Sequence, residues 1–284
     1  MSAVAVPTKK KPVVREPRKP VYTAIGIAIL AVMLFPVYWM LNVSLQPAGG
    51  AVATPLIPPA LDFGGYATAI EDQGANLVTS LIVAFGAVIF SLAVATPAAY
   101  ALAQFKFGNW VSVILFVVLI TQMIPGIVVA NALYGAYSDL GMLNSHLGLI
   151  LADSAQGIPF SIILMRAFML GIPTSIVEAA YVDGAGPVRA FISVVLPISR
   201  NALITSGLFT FLFAWGDFLF AVTLTTNESV RPITYGIYTY LSGQVQNWSP
   251  VMATAVMSSL PAIALLLLAQ RYIAAGVTGG AVKS

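Results

Sequence analysis

The fold is decided by the stretch PTSIVEAAYVDGAGPVRAFISVVLP, residues 173–197, in which charged residues, glycines and prolines interrupt a very apolar chain. Its pattern predicts two short helices joined by a tight turn. Asp183-Gly184 supplies a residue tolerant of positive φ where the first helix should end. Pro187 suits the first turn of the second helix, and Pro197 interrupts that helix.

The start of the first predicted helix allows two roles for Glu178. Ser175 precedes Glu178 by three residues, the spacing of a capping box at a helix N-terminus. A carboxylate has several acceptor sites, so closing the capping box leaves Glu178 able to bind a partner as well. Both roles stay open on these residues alone.

The two predicted helices carry more apolar side chains than so small a unit can cover. Exposed apolar surface of this kind normally marks a docking site. We therefore expect the segment to dock on another protein and to transmit a movement, since it contains no catalytic constellation. The apolar residues concerned are Ile176, Val177, Tyr181, Phe191 and Val195.

The composition places the chain in a membrane. Of its 284 residues, 8% are charged and 59% are hydrophobic, whereas soluble domains average about 25% charged residues. Cysteine is absent and His146 is the single histidine, which excludes disulfides, thiolate metal sites and a His-rich metal site from this chain. The sequence has no Gly-x-x-x-x-Gly-Lys-[Ser/Thr] phosphate loop, so any ATP must be handled by another polypeptide.

Six apolar segments are long enough to cross a bilayer, which takes about 20 residues each. We predict an all-α protein with a basic disordered tail at 1–20, loops at 46–76 and 226–248, a core over 77–273, and a C-terminal tail at 274–284. Five segments contain a proline, which favours a bundle with bends: Pro36, Pro97, Pro125, Pro159 and Pro261. The six predicted spans are Val21–Leu45, Leu77–Ala103, Trp110–Tyr134, Leu147–Leu170, Asn201–Thr225 and Ser249–Tyr272.

The basic residues predict the orientation. With the N-terminus in the cytoplasm, only Arg231 of the 13 lysine and arginine residues falls on the outer side, as the positive-inside rule requires. Both termini and the 173–197 segment, which lies between spans four and five, are then cytoplasmic. The inner residues are Lys9, Lys10, Lys11, Arg15, Arg18, Lys19, Lys106, Arg166, Arg189, Arg200, Arg271 and Lys283.

Two carboxylates fall within predicted spans, Asp153 in the fourth and Asp217 in the fifth. An ionised carboxylate inside a bilayer costs about 3 kcal/mol or more, so the first hypothesis is that each faces a transport pathway or a partner. The alternative is a helix-to-helix hydrogen bond, or a depth that water already reaches.

The 173–197 segment also resembles a known motif. Glu178-Ala179-Ala180, Gly184 and the run Val194-Val-Leu-Pro197 are similar to the EAA signature of bacterial ABC importer permeases, with Val194 where isoleucine is usual. Trp215-Gly-Asp217-Phe218 resembles a segment of the same family's fifth span, with glycine in place of the usual asparagine. The C-terminal part, Gln270-Arg-Tyr272 and 276–283, resembles carbohydrate permeases of the maltose type.

The resemblance implies half of a sugar channel in a bacterial inner membrane. Its implied partners are a second permease, two cytoplasmic ATPase subunits that bind ATP and Mg²⁺, an extracytoplasmic sugar-binding protein and membrane lipid; this chain would bind no cofactor and no nucleic acid. The implied ATPase-coupling residues are Glu178, Ala179, Ala180, Asp183, Gly184, Ala185 and Pro197. The candidate sugar contacts, chosen as carboxylates, amides and an aromatic, are Trp215, Asp217, Asn131, Gln122 and Asp153.

Three other functions remain open on the sequence. The first is an ABC permease for another solute, such as glycerol phosphate or a polyamine. The second is a proton-coupled secondary transporter that uses Asp153 and Asp217, and the third is a membrane scaffold without transport activity.

Overall fold

The described part of the chain is entirely helical. The computed structural model describes residues 20–47, 55–105, 107–242, 245 and 247–281, and these contain no strand. The helices are α1 (Pro20–Ser44), α2 (Gly64–Gln104), α3 (Trp110–Thr121), α4 (Gly126–Leu140), α5 (His146–Met169), α6 (Thr174–Val182), α7 (Pro187–Ala190), a π-helical turn (Phe191–Val195), α8 (Leu196–Ile198), α9 (Arg200–Gly216), α10 (Leu219–Leu224), α11 (Ile233–Leu241) and α12 (Trp248–Ala281).

Four single helices are long and apolar enough to cross a membrane: α1, α2, α5 and the first 25 residues of α12. Two further pairs qualify only when each is taken as one broken span. One pair is α3 with α4, bent by 87°, and the other is Pro187–Ile198 with α9, bent by 77°. Counting each pair as one span gives six spans, the predicted number, although the second pair joins residues 187–198 of the predicted insert to α9, whereas the predicted fifth span, Asn201–Thr225, covers α9 and α10.

The third span is broken where the sequence predicts a continuous helix. α3 ends at Thr121, and α4 begins at Gly126, directly after Pro125. Proline has no N–H to donate and disfavours helical backbone in the residue before it, so the chain leaves the helix and restarts at an angle. The proline was visible in the sequence, but its effect is a sharp turn rather than a mild kink.

The fifth span is broken as well. α9 ends at Gly216, and Asp217 takes an extended conformation before α10 begins at Leu219. A carboxylate oxygen of Asp217 accepts hydrogen bonds from the backbone N–H groups of Phe220 (2.9 Å) and Ala221 (3.1 Å). Asp217 therefore caps the second half of the broken span, because the first N–H groups of a helix have no acceptor inside the helix.

The loop predicted over 46–76 is shorter than expected. α2 begins at Gly64 rather than at Leu77, so its first three turns occupy the end of that stretch. Gly65, Ala69 and Gln73 recur every fourth residue and are buried along one side of these turns. At the other end of the chain, α12 continues to Ala281 where a tail from residue 274 was predicted. The predicted basic tail lies outside the described residues, except for Pro20.

Small and hydroxyl-bearing side chains bring α2, α5 and α9 close together. The Ser206 hydroxyl donates to Ser161 at 2.7 Å, joining α9 to α5. A Cβ added at Gly157 would lie 2.6 Å from Thr210 of α9 and 2.7 Å from Ser91 of α2, so α5 has no room for a side chain there. Small residues at helix contacts are typical of membrane bundles, in which close backbone approach replaces the hydrophobic effect as the source of association.

The short helix α11 closes one end of the bundle. The backbone N–H of Ile233 donates to Ser80 of α2 at 2.8 Å, and the Tyr240 hydroxyl donates to Asp72 of α2 at 3.0 Å. Burial raises the pKa of the Tyr240 phenol, and the hydrogen bond to the Asp72 carboxylate raises it further. Tyr240 therefore remains a hydrogen-bond donor at neutral pH, and α11 stays attached to the start of α2.

Candidate functional site

The turn between α6 and α7 has the geometry that the sequence predicts. Gly184 lies at φ +83°, in the left-handed region that favours glycine. The N–H of Ala185 donates to the carbonyl of Ala180 at 2.9 Å, and the N–H of Gly184 donates to that of Tyr181 at 3.0 Å. These two bonds form a Schellman motif, which ends α6 and reverses the chain toward Pro187, the first residue of α7.

The predicted capping box does not form. α6 begins at Thr174, one residue earlier than expected, so Ser175 lies inside the first turn, and no side-chain hydrogen bond caps this end. Pro173 supplies the extended backbone before the helix instead. Glu178 is exposed, and nothing in the described part of the chain donates a hydrogen bond to its carboxylate or pairs with it. Its capping role is therefore wrong, and the carboxylate is available to a partner.

The apolar side chains of this segment divide between two faces. Five apolar residues of this segment were named from the sequence. Val177 and Val195 are buried and Phe191 is half-buried, whereas Ile176 and Tyr181 are exposed. Two residues not singled out in the sequence extend the exposed face: Val182, which is 87% exposed, and Val188, which is 70% exposed. We call Ile176, Glu178, Tyr181, Val182 and Val188 the coupling surface.

The opposite face of the segment is anchored to the bundle. Val177, Ala190 and Val195 belong to one buried cluster with the ends of α2 and α5. Within it, the ring centroids of Phe191 and of Tyr100, a residue of α2, lie 5.2 Å apart. This face of the segment therefore contacts α2 and α5 through packed side chains.

Two polar side chains join the ends of α2 and α5 beside this cluster. The Gln104 amide donates to the carbonyl of Met169 at 3.1 Å and to that of Ile172 at 3.5 Å. Arg166 Nε donates to the carbonyl of Leu102 at 3.1 Å. These contacts join the ends of α2 and α5 at carbonyls that lack intrahelical donors. They lie beside the 173–197 segment, which we call the coupling segment.

A cavity of about 360 Å³ lies where the two broken spans meet α5. The Gln122 amide, at the α3–α4 bend, donates to the carbonyl of Gln156 at 3.4 Å. The wall combines amide, hydroxyl and phenyl groups, and its residues include Thr121, Gln122, Ala155, Gln156, Phe213 and Phe220.

Of the predicted sugar contacts, only Gln122 lines this cavity. Trp215 is buried: its ring stacks on Phe211 with centroids 5.3 Å apart, and its indole N–H donates to the carbonyl of Ser258 at 3.0 Å. Asn131 is exposed on α4, away from the cavity wall.

The two predicted carboxylates also lie away from the cavity wall. Asp153 is buried on α5, close enough to Asp217 and Tyr137 for electrostatic interaction. Asp217 acts locally as the cap of α10, and Phe220, whose N–H it holds, does line the cavity. A role for either carboxylate in transport stays a prediction.

Sequence reasoning missed most of the wall, including Gln156, Phe213 and Phe220. Gln156 lies within the fourth predicted span and was not chosen, although the amides of Gln122 and Asn131 were. Phe213 resembles any other phenylalanine of a membrane span, and only the break at Asp217 brings Phe220 to the same space.

Known proteins share both the sequence and the fold of this chain. Residues 95–279 match the family described as binding-protein-dependent transport system inner membrane component. The trehalose/maltose transport system permease protein MalG of Thermococcus litoralis is 29% identical over 93% of this chain and 97% of that protein. The trehalose transport system permease protein SugB of Mycobacterium tuberculosis is 30% identical over 94% of this chain and 98% of that protein.

A solved structure shows the same fold. A chain of a bacterial ABC transporter that imports the acidic polysaccharide alginate superposes with a TM-score of 0.74, at 24% identity, over 89% of this chain and 95% of that one. The chain therefore has the fold of an ABC importer permease, with several helices long and apolar enough to cross a membrane. This chain belongs to the family of binding-protein-dependent transport system inner membrane components.

Proposed function

We propose that this chain is the permease subunit of an ATP-driven importer for a sugar, a di- or oligosaccharide, and that it forms half of the translocation pathway. The observation that carries the proposal is the coupling surface: an unpaired carboxylate at Glu178 among exposed valine, isoleucine and tyrosine side chains, on a segment anchored to α2 and α5. The names of the full-length relatives support sugar as the solute.

The proposal requires partners for the chemistry that this chain lacks. Two ATPase subunits bind ATP and Mg²⁺ and hydrolyse the nucleotide, since the chain has no phosphate loop and supplies no catalytic group. A second permease completes the pathway, and an extracytoplasmic binding protein delivers the sugar. Glu178, Ala179, Ala180, Asp183, Gly184, Ala185 and Pro197 are the residues assigned to ATPase coupling.

The same proposal fixes the orientation in the bacterial cytoplasmic membrane. The coupling segment must face the compartment that holds ATP, and Arg166, Arg189 and Arg200 are close to it in sequence. A cytoplasmic location for this end agrees with the positive-inside rule and places both termini in the cytoplasm. The opposite end carries Glu228 and Asp139 and receives the binding protein.

The structure supports a mechanical route from ATP to the pathway. Closure of the ATPase pair displaces α6 through the coupling surface, and the buried cluster passes that displacement to α2 and α5. α5 also forms one wall of the cavity, through Ala155 and Gln156. Because packed interfaces switch between discrete arrangements, a small shift at α6 can change the side from which the cavity is open.

Co-purification tests the proposal. The tagged chain is isolated from its native membrane with mild detergent, and the proteins that accompany it are identified by mass spectrometry. We expect a second permease, an ATPase with a phosphate loop and an extracytoplasmic binding protein. Isolation of the chain alone, or only as a homo-oligomer, would reject the proposal and favour the proton-coupled transporter.

A further inference from the structure

We infer that the cavity between the broken spans is a subsite for one uncharged sugar unit, held by the Gln122 and Gln156 amides and by the ring of Phe213. The inference rests on the proposed function and adds the substrate class: a neutral saccharide rather than an acidic saccharide, a phosphate ester or a polyamine. The cavity has a volume of about 360 Å³, which falls within the range of about 300–1,000 Å³ usual for small-molecule sites.

The polar groups of the wall match sugar hydroxyls. Each glutamine amide offers two N–H donors and a carbonyl acceptor, and a sugar hydroxyl needs both kinds of partner. Gln122 spends one donor on the carbonyl of Gln156 at 3.4 Å, which fixes the two residues next to each other and leaves the remaining groups free for a ligand. Gly126, the first residue of α4, adds a backbone N–H that has no acceptor inside the helix.

The apolar part of the wall matches the other surface of a sugar. The two faces of a pyranose ring carry C–H groups, and these pack on aromatic rings. Phe213, in the last turn of α9, is 40% exposed. Its other neighbour is Phe160 of α5, with ring centroids 5.4 Å apart in an edge-to-face arrangement. Phe160 therefore holds the Phe213 ring, whose exposed part is open to a ligand.

The absence of charge sets the substrate class. None of the residues that line the cavity in the described part of the chain is ionisable. Recognition of a phosphate or a uronate normally uses arginine or lysine, and a polyamine needs carboxylates. The Asp217 carboxylate is bonded to the N–H groups of Phe220 and Ala221, so it offsets the positive end of α10.

The chain contains no cysteine, which allows a direct test of occupancy. Gln122→Cys and Gln156→Cys each place the only thiol of this chain in the cavity, and Thr121→Cys is a further wall variant should a glutamine variant fail to assemble. Ser138→Cys is the control, because Ser138 is exposed on α4 outside the wall. Each variant is reconstituted as the complete transporter, with binding protein and ATP, and its alkylation by a water-soluble maleimide is timed.

Maltose, trehalose, trigalacturonate and spermidine are the probes. We expect maltose or trehalose to slow alkylation in the cavity about 3- to 10-fold, because a small-molecule site encloses about 70–90% of its ligand, and to leave Ser138→Cys unchanged. Protection by trigalacturonate or spermidine instead, equal protection of Ser138→Cys, or ATP-driven sugar uptake without protection would each overturn the subsite. Absence of ATP-driven uptake of every probe by the unmodified transporter would reject the proposed function itself.

Discussion

The side-chain amide of Gln104, the last residue of α2, donates a hydrogen bond to the carbonyl of Met169, the last residue of α5, at 3.1 Å. This hydrogen bond joins the ends of α2 and α5, the two helices against which the coupling segment packs. Gln104 also reaches Ile172 at 3.5 Å, so one amide serves two carbonyls that have no helical donor. The Gln104–Met169 hydrogen bond lies between the coupling surface and the part of the bundle that lines the cavity.

Gln104→Leu tests this connection. The substitution removes a hydrogen bond worth about 1 kcal/mol between the two helix ends, while the Met169 carbonyl keeps its hydrogen bond from the Ile172 N–H at 3.1 Å. We expect a lower apparent melting temperature of the purified chain and fewer solute molecules imported per ATP hydrolysed. Gln270→Leu is the control, because Gln270 is exposed on α12 and makes no side-chain hydrogen bond within the described residues. Equal behaviour of the two variants would contradict the role of Gln104.

Gly184→Ala should weaken the coupling segment from within. At φ +83° an added Cβ costs about 1–2 kcal/mol, although the space around the glycine is open. We expect less ATPase bound to the variant in pull-down from detergent. Gly186→Ala is a matched control two residues away, since Gly186 has φ −69° and also lies in open space. If both variants bind the ATPase equally well, strain at the turn does not control docking.

Glu178→Ala should separate docking from folding. The Glu178 carboxylate has no partner in the described chain, so we expect its loss to change stability by no more than about 0.5 kcal/mol. ATPase binding and solute uptake should fall together. Glu71→Ala, an exposed acidic residue near the start of α2, should leave both unchanged. Normal uptake by the Glu178→Ala transporter would remove Glu178 from the coupling surface.

The sequence predicts the spans well where the apolar run is continuous. α1, α5 and α12 begin within one or two residues of their predicted starts. A single apolar run of about 20 residues can satisfy its backbone N–H and C=O groups inside a bilayer only by forming a helix. The turn at Gly184 was equally predictable, because positive φ depends on the residue itself. The local pattern predicted docking from its uncovered apolar side chains, whereas the ATPase as the partner came only from the resemblance.

The breaks and the cavity depend on tertiary contacts that a single sequence does not contain. Pro125 allows either a mild kink or an 87° bend, and packing against α5 and α10 decides between them. Trp215 was predicted as a sugar contact because it is aromatic. In the structure its indole N–H donates to the carbonyl of Ser258 in α12, and its ring stacks on Phe211. Phe213, two residues earlier on the other side of α9, is the ring that faces the cavity.

Gly157→Ala should move α5 away from α2 and α9, the helices on which both the coupling surface and the cavity depend. The added Cβ would lie 2.6 Å from Thr210 and 2.7 Å from Ser91, so α5 must move away from α9 and α2. Overpacking of this kind costs about 1–3 kcal/mol, and we expect a lower apparent melting temperature and slower uptake. Gly135→Ala is the control: Gly135 lies in α4 with nothing within 4 Å, so alanine there should stabilise the helix by about 0.5–1 kcal/mol. A Gly157→Ala protein as stable as the unmodified chain would show that α2, α5 and α9 can separate without loss of stability. The mechanical route from α6 to the cavity would then need a different path.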